Sequence, residues 1–111
     1  MDFYAMDCAR RVGDDAVAWS LAETVERQNT TAGGIVVAPM RIAEAQLTKA
    51  AVEARAGEVE PAVERAVRAL EGNRHSLPSL IMVGQEVGEL VASHPTGAGF
   101  RRHLAELRPA V

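Results

Sequence analysis

Three histidines (His75, His94 and His103), one cysteine (Cys8) and 15 carboxylates are the groups in this chain best suited to ligate a metal or move a proton. Two ligands share one helical face when they stand three or four residues apart. No histidine has a second histidine or a cysteine at that spacing, and His94 and His103 approach each other only through the loop at residues 95–99, so no metal site is expected. General acid–base work requires a carboxyl whose pKa is raised in a pocket. The acidic pairs Glu58/Glu60 and Glu86/Glu89 instead fall at helix starts or on solvent faces, where they serve the helix dipole and solubility. Cys8 has no second cysteine for a disulfide, and Arg10 and Arg11 give it only a weakly electropositive neighbourhood; it is expected to be a core residue in a reducing, cytoplasmic setting. Gly33 and Gly34 follow Thr30 and Thr31 rather than a strand, and no Lys-Ser or Lys-Thr closes a phosphate-cradling loop. These patterns predict no enzyme and no cofactor.

The elements that would have to position such groups read as helices. The residues are 48% hydrophobic but only 4% aromatic, so the apolar material is mostly Ala, Val and Leu, which let helices pack closely. A chain of 111 residues suits a single domain, 1–111. A net charge of −3 leaves no electrostatic footprint for direct nucleic-acid binding. The first seven residues lack the basic start of an export signal, and no window approaches roughly 18 uninterrupted apolar residues, so neither export nor membrane insertion is expected. Turn residues divide the chain into hairpins at about 2–29, 40–72 and 77–108, with a linker at about 29–39. Within the linker, Ile35-Val36-Val37 is expected to bury against the hairpins. Leu80, Val83, Val87, Leu90 and Val91 form one helical stripe, Pro95 is expected to end that helix, and Thr96 to cap a short last helix at Phe100 to Leu107. The predicted fold is all-α, with two to three stacked antiparallel hairpins and about six helices.

The first two hairpins share an internal register. Gly13 aligns with Gly57, Asp14 with Glu58, Ala18 with Ala62, Ala22 with Ala66 and Val25 with Ala69. A glycine turn is thus followed by small residues where the second helix of each pair must meet its neighbours. This spacing resembles the tetratricopeptide repeat, a helix–turn–helix unit of roughly 34 residues. Gly57, Glu58, Ala62 and Ala69 carry the match, whereas Gln46, Lys49 and Ala50 stand where the repeat has its large aromatic and first-helix glycine.

The segments Ala38-Pro39-Met40-Arg41-Ile42-Ala43-Glu44-Ala45 and Ser76-Leu77-Pro78-Ser79-Leu80-Ile81-Met82-Val83, with the glycine-turn pair between them, look like the C-terminal regulatory region of actinobacterial transcriptional regulators. Those proteins join a Cro/repressor-type helix-turn-helix DNA-binding domain to a tetratricopeptide-like region, and this chain resembles the second part alone. The resemblance implies a cytoplasmic, non-catalytic module for protein or peptide contacts, with self-association into a homodimer a further expectation.

In such a stack the first helix of each pair lines the concave face. The register places Asp7, Arg10 and Arg11 there on the first hairpin, and Glu44, Leu47, Ala51 and Arg55 on the second, as the expected partner-binding residues. Gly84 and Gly88, one turn apart, are expected at a close helix packing or a dimer contact, because glycine in a helix interior costs about 1 kcal/mol relative to Ala. The alternative function is a small-molecule sensor or accessory protein with an apolar ligand in a groove beside that glycine helix. Tyr4, Trp19 and Phe100 are expected to anchor the ends of the stack.

Overall fold

The computed structural model describes residues 2–30, 32–34, 38–71 and 77–107. The described residues form six α-helices and no strand: α1 (Asp2–Val12), α2 (Asp15–Gln28), α3 (Pro39–Arg55), α4 (Val59–Glu71), α5 (Leu77–Leu90) and α6 (Pro95–Leu107). Ile35-Val36-Val37, His75 and the stop at Gly72 lie outside the described residues.

The two glycine turns are built alike. Gly13 and Gly57 take φ of 80° and 87°, the left-handed conformation that ends a helix without a Cβ penalty. At the first, the Gly13 N–H donates to the Arg10 carbonyl and the Asp14 N–H to Ala9; at the second, Gly57 donates to Ala54 and Glu58 to Glu53. These paired bonds satisfy the last carbonyls of α1 and α3. Asp14 and Glu58 then offer their own carbonyls to Ala18 and Ala62, opening α2 and α4. Connections this short make each helix antiparallel to the one before it.

The third corner differs from the sequence expectation. Pro95 opens α6 instead of ending α5, because a proline at a first helical position has no N–H to leave unsatisfied. His94 caps it: its carbonyl accepts from Ala98 at 3.1 Å, and its ring Nδ1 accepts the Thr96 N–H at 3.2 Å. Thr96 is therefore inside the helix. The same logic starts α3 at Pro39.

Helix α3 is the hub, packing against α1, α2, α4 and α5, while α4 and α6 close the far side. The small residues of the register sit at the helix crossings: Ala18, Ala22, Ala62 and Ala66 are fully buried and Val25 and Ala69 nearly so. The largest apolar cluster runs from α3 to α6 and includes Leu47, Leu70, Leu80, Val87, Phe100 and Leu104. A smaller one, Met6, Ala22, Val25 and Ala45, joins the first hairpin to α3. Leu80, Val83, Val87 and Val91 of the predicted stripe are buried, whereas Leu90, at its edge, is 38% exposed.

Candidate functional site

Arg10 is the largest fully buried side chain in the described structure, with 1% of its surface exposed. It stands one turn after Met6 on the α1 face that meets α3, and the internal register aligns the two with Ala54 and Ala50, which are also buried. A guanidinium held there must have its donors satisfied, since an unpaired buried charge is very costly. Its Nε donates to Glu86 Oε2 on α5 at 2.6 Å, its Nη1 to the buried Thr48 hydroxyl on α3 at 3.2 Å, and its Nη2 to Asp7 on α1. Arg11, largely exposed, pairs with the other Asp7 oxygen at 3.3 Å.

Glu44 lies on α3 one turn before Thr48 and feels the same charges. Partial burial raises its carboxyl above the ordinary glutamate range, Arg10 pulls it down, and Asp7 adds to the rise. At the other end of α3, Arg55 donates to Asp15 at 2.5 Å and to the Arg10 carbonyl at 2.6 Å, tying the first turn to the second hairpin. The first helices of all three hairpins thus contribute to one polar cluster, with Asp7 and Glu86 about one-third exposed at its rim.

Of the residues expected to face a partner, Asp7, Arg10, Glu44 and Arg55 come together here, with Arg11 at the edge. Leu47 and Ala51 do not. Both are completely buried in the main core, because α3 is covered on several sides and these positions point toward α4 and α5. Arg10 is likewise inside the protein rather than presented on a surface. Glu86, read from sequence as a solvent-facing acid, is the acceptor from this buried arginine; its partner is 76 residues away, which leaves no local signal. Cys8 is exposed, correcting the core expectation, because Met6, Ala9 and Arg10 occupy the inward face of α1.

A second polar network crosses α2, α3 and α4. Lys49 and Arg65 lie over the Trp19 ring at 4.9 and 5.5 Å from its centre. Both cations are neutralised, Lys49 by Glu26 at 2.7 Å and Arg65 by Glu53 at 2.6 Å. Trp19 therefore works at the junction of the first two hairpins instead of capping an end. Tyr4 is 70% exposed, while Phe100 is a core residue of α6.

Gly84 and Gly88 face the protein's own side chains. A Cβ on Gly84 would come within 3.1 Å of Leu104, and one on Gly88 within 3.2 Å of Arg101 and 3.4 Å of Leu104. A glycine that the sequence reading passed over is more tightly confined: a Cβ on Gly97 would lie 1.7 Å from the Val91 carbonyl oxygen. Beside Gly88 runs an open groove of about 400 Å³ between α5 and α6, lined by Gln85, Glu89, Arg101, Leu104 and Ala105. Much of that lining is polar, unlike the apolar groove expected beside the glycine helix.

Among the described residues, no group of three or more His, Cys, Asp or Glu is arranged to hold a metal ion. No helix of the described residues is long and apolar enough to cross a membrane. No family model matches the chain, and comparison with curated proteins and with solved structures finds no significant match.

Proposed function

We propose that this chain is a non-catalytic interaction module, related to the tetratricopeptide-like regulatory region of actinobacterial transcriptional regulators, that binds a protein or extended peptide in the cytoplasm. The observation that carries the reading is the convergence of α1, α3 and α5, the first helices of the three hairpins, on one polar cluster with Asp7 and Glu86 at its rim. Stacked hairpins present extended segments with a surface made by these first helices. Arg10 lies inside the protein with its Nε, Nη1 and Nη2 each engaged, so recognition falls to the exposed Arg11 and the partly exposed Asp7, Glu44 and Glu86 carboxyl groups. Such a surface suits backbone and charged side-chain groups of a peptide.

The test is selection from a displayed library of unstructured peptides, followed by calorimetry of an enriched peptide against the wild type and the Arg11→Glu and Asp7→Lys variants. Saturable binding that both substitutions weaken at least about tenfold, a loss of roughly 1.4 kcal/mol, is expected. Failure to enrich any peptide, or binding indifferent to both changes, would overturn the assignment. An apolar ligand retained in native mass spectra would turn attention to the small-molecule alternative. Light scattering of the same samples determines whether the module forms a homodimer.

A further inference from the structure

The apolar core is divided. Fifteen buried side chains from α3 to α6 make one cluster, while the first hairpin meets α3 through a separate set of four, Met6, Ala22, Val25 and Ala45, two of them alanines. Leu21 packs against that set and Trp19 lies at its side, and the junction also carries polar ties: Arg10 to Thr48, Arg55 to Asp15 and to the Arg10 carbonyl, Lys49 and Gln46 to Glu26. One of these ties reaches beyond α3. The Arg10 guanidinium continues to Glu86 on α5, so it joins the first hairpin directly to the third.

We infer that the plane between the first hairpin and α3 is a hinge at which the molecule opens, and that the Arg10–Glu86 contact is the latch that holds it closed. Regions with little buried apolar contact are the ones that open below the global unfolding free energy. The small cluster at this plane is separate from the continuous core that α3 to α6 share, which places the opening here. The latch is strong only when shut, because the buried guanidinium is then held between two carboxylates, Asp7 and Glu86, that offset its charge. Opening returns Arg10 and Thr48 to water and separates α1 from α5.

Two measurements on the full chain test it. Native-state hydrogen exchange is expected to show the α1 and α2 amides exchanging about tenfold or more faster than those of α4 and α6. For the latch, nitroxide labels go on the native Cys8, which is exposed, and on Met82→Cys, a site that is 66% exposed on α5. Dipolar electron paramagnetic resonance should give one narrow distance in the otherwise wild-type chain. Glu86→Ala, which leaves Arg10 its Thr48 and Asp7 partners, should lengthen and broaden it with no loss of helical circular dichroism. Arg10→Met, which keeps the length of the side chain and removes its charge, should do the same. A single protection class shared by all the helices would overturn the hinge, and an unchanged distance distribution in Glu86→Ala would overturn the latch.

Discussion

Gly97→Ala adds one methyl group at the tightest backbone approach found among the described glycines. The new Cβ would stand 1.7 Å from the Val91 carbonyl oxygen, 2.5 Å from its carbon and 2.8 Å from Val91 Cγ2, so the α5–α6 corner must open by more than about 1 Å to reach any tolerable contact. The obstruction is backbone at the end of α5, where the Val91 carbonyl also accepts the His94 N–H, and it has no rotamer with which to move aside. Overpacking a filled site costs typically ~1–3 kcal/mol, and an unyielding neighbour puts this one at or above the top of that range. Lifting the start of α6 also loosens Phe100 and Leu104, each buried to within 4% of full coverage. Alanine's better helix propensity returns at most about 1 kcal/mol. The net loss is therefore about 2 kcal/mol or more, which lowers the melting temperature of a domain this size by roughly 10 °C. Thermal and urea unfolding followed by circular dichroism measure it, with Gly84→Ala and Gly88→Ala as comparators. Those two meet side-chain atoms at 3.1 and 3.2 Å and should fall within about 1 kcal/mol of wild type. If Gly97→Ala is no less stable than Gly88→Ala, the reasoning from backbone contact is wrong.

Three further substitutions probe other parts of the argument. Glu44 has a raised pKa in the folded chain, so its contribution to stability is fully present below the ordinary glutamate value and is lost as pH rises through the raised one. Glu44→Gln should accordingly be more stable than wild type at pH 7, with the difference shrinking toward pH 4; urea titrations at both values decide, and a less stable variant at pH 7 refutes the sign. Gly57→Ala meets no atom within 4 Å, so its cost comes from the φ of 87° alone. About 1–2 kcal/mol is expected by denaturant unfolding, and a neutral result would mean that the turn relaxes. Lys49→Met removes the nearer of the two cations over Trp19 and leaves Glu26 without its ion pair. It should shift the Trp19 fluorescence and cost on the order of 1 kcal/mol, whereas an unchanged spectrum would argue against the stacked geometry.

Pro95 and Cys8 show how far local rules reach. A proline stops the helix before it and also starts the next helix well, and at Pro95 the cap provided by His94 decides for the second role. The usual behaviour of cysteine places Cys8 in the core, yet helical phase on α1 gives the inward positions to Met6, Ala9 and Arg10. That phase could have been read from the register, which aligns Arg10 with Ala54 and Met6 with Ala50.

The sequence alone determined the hairpins, because a glycine turn, its acidic follower and the small residues five, nine and twelve positions later all fall within one helix of the turn. Gly13 and Gly57 take the left-handed turn conformation, and the alanines after them are buried. Only the tertiary structure decided which charges became internal. Arg10 meets Thr48 at a separation of 38 residues and Glu86 at 76, and no periodicity in the sequence encodes a pairing across three helices. The close approach of Gly97 to Val91 likewise depends on the angle at which α6 leaves α5. The polar cluster and the hinge inferred from it are products of that packing, since burial converts an ordinary surface arginine into a charge that must be matched from several helices at once.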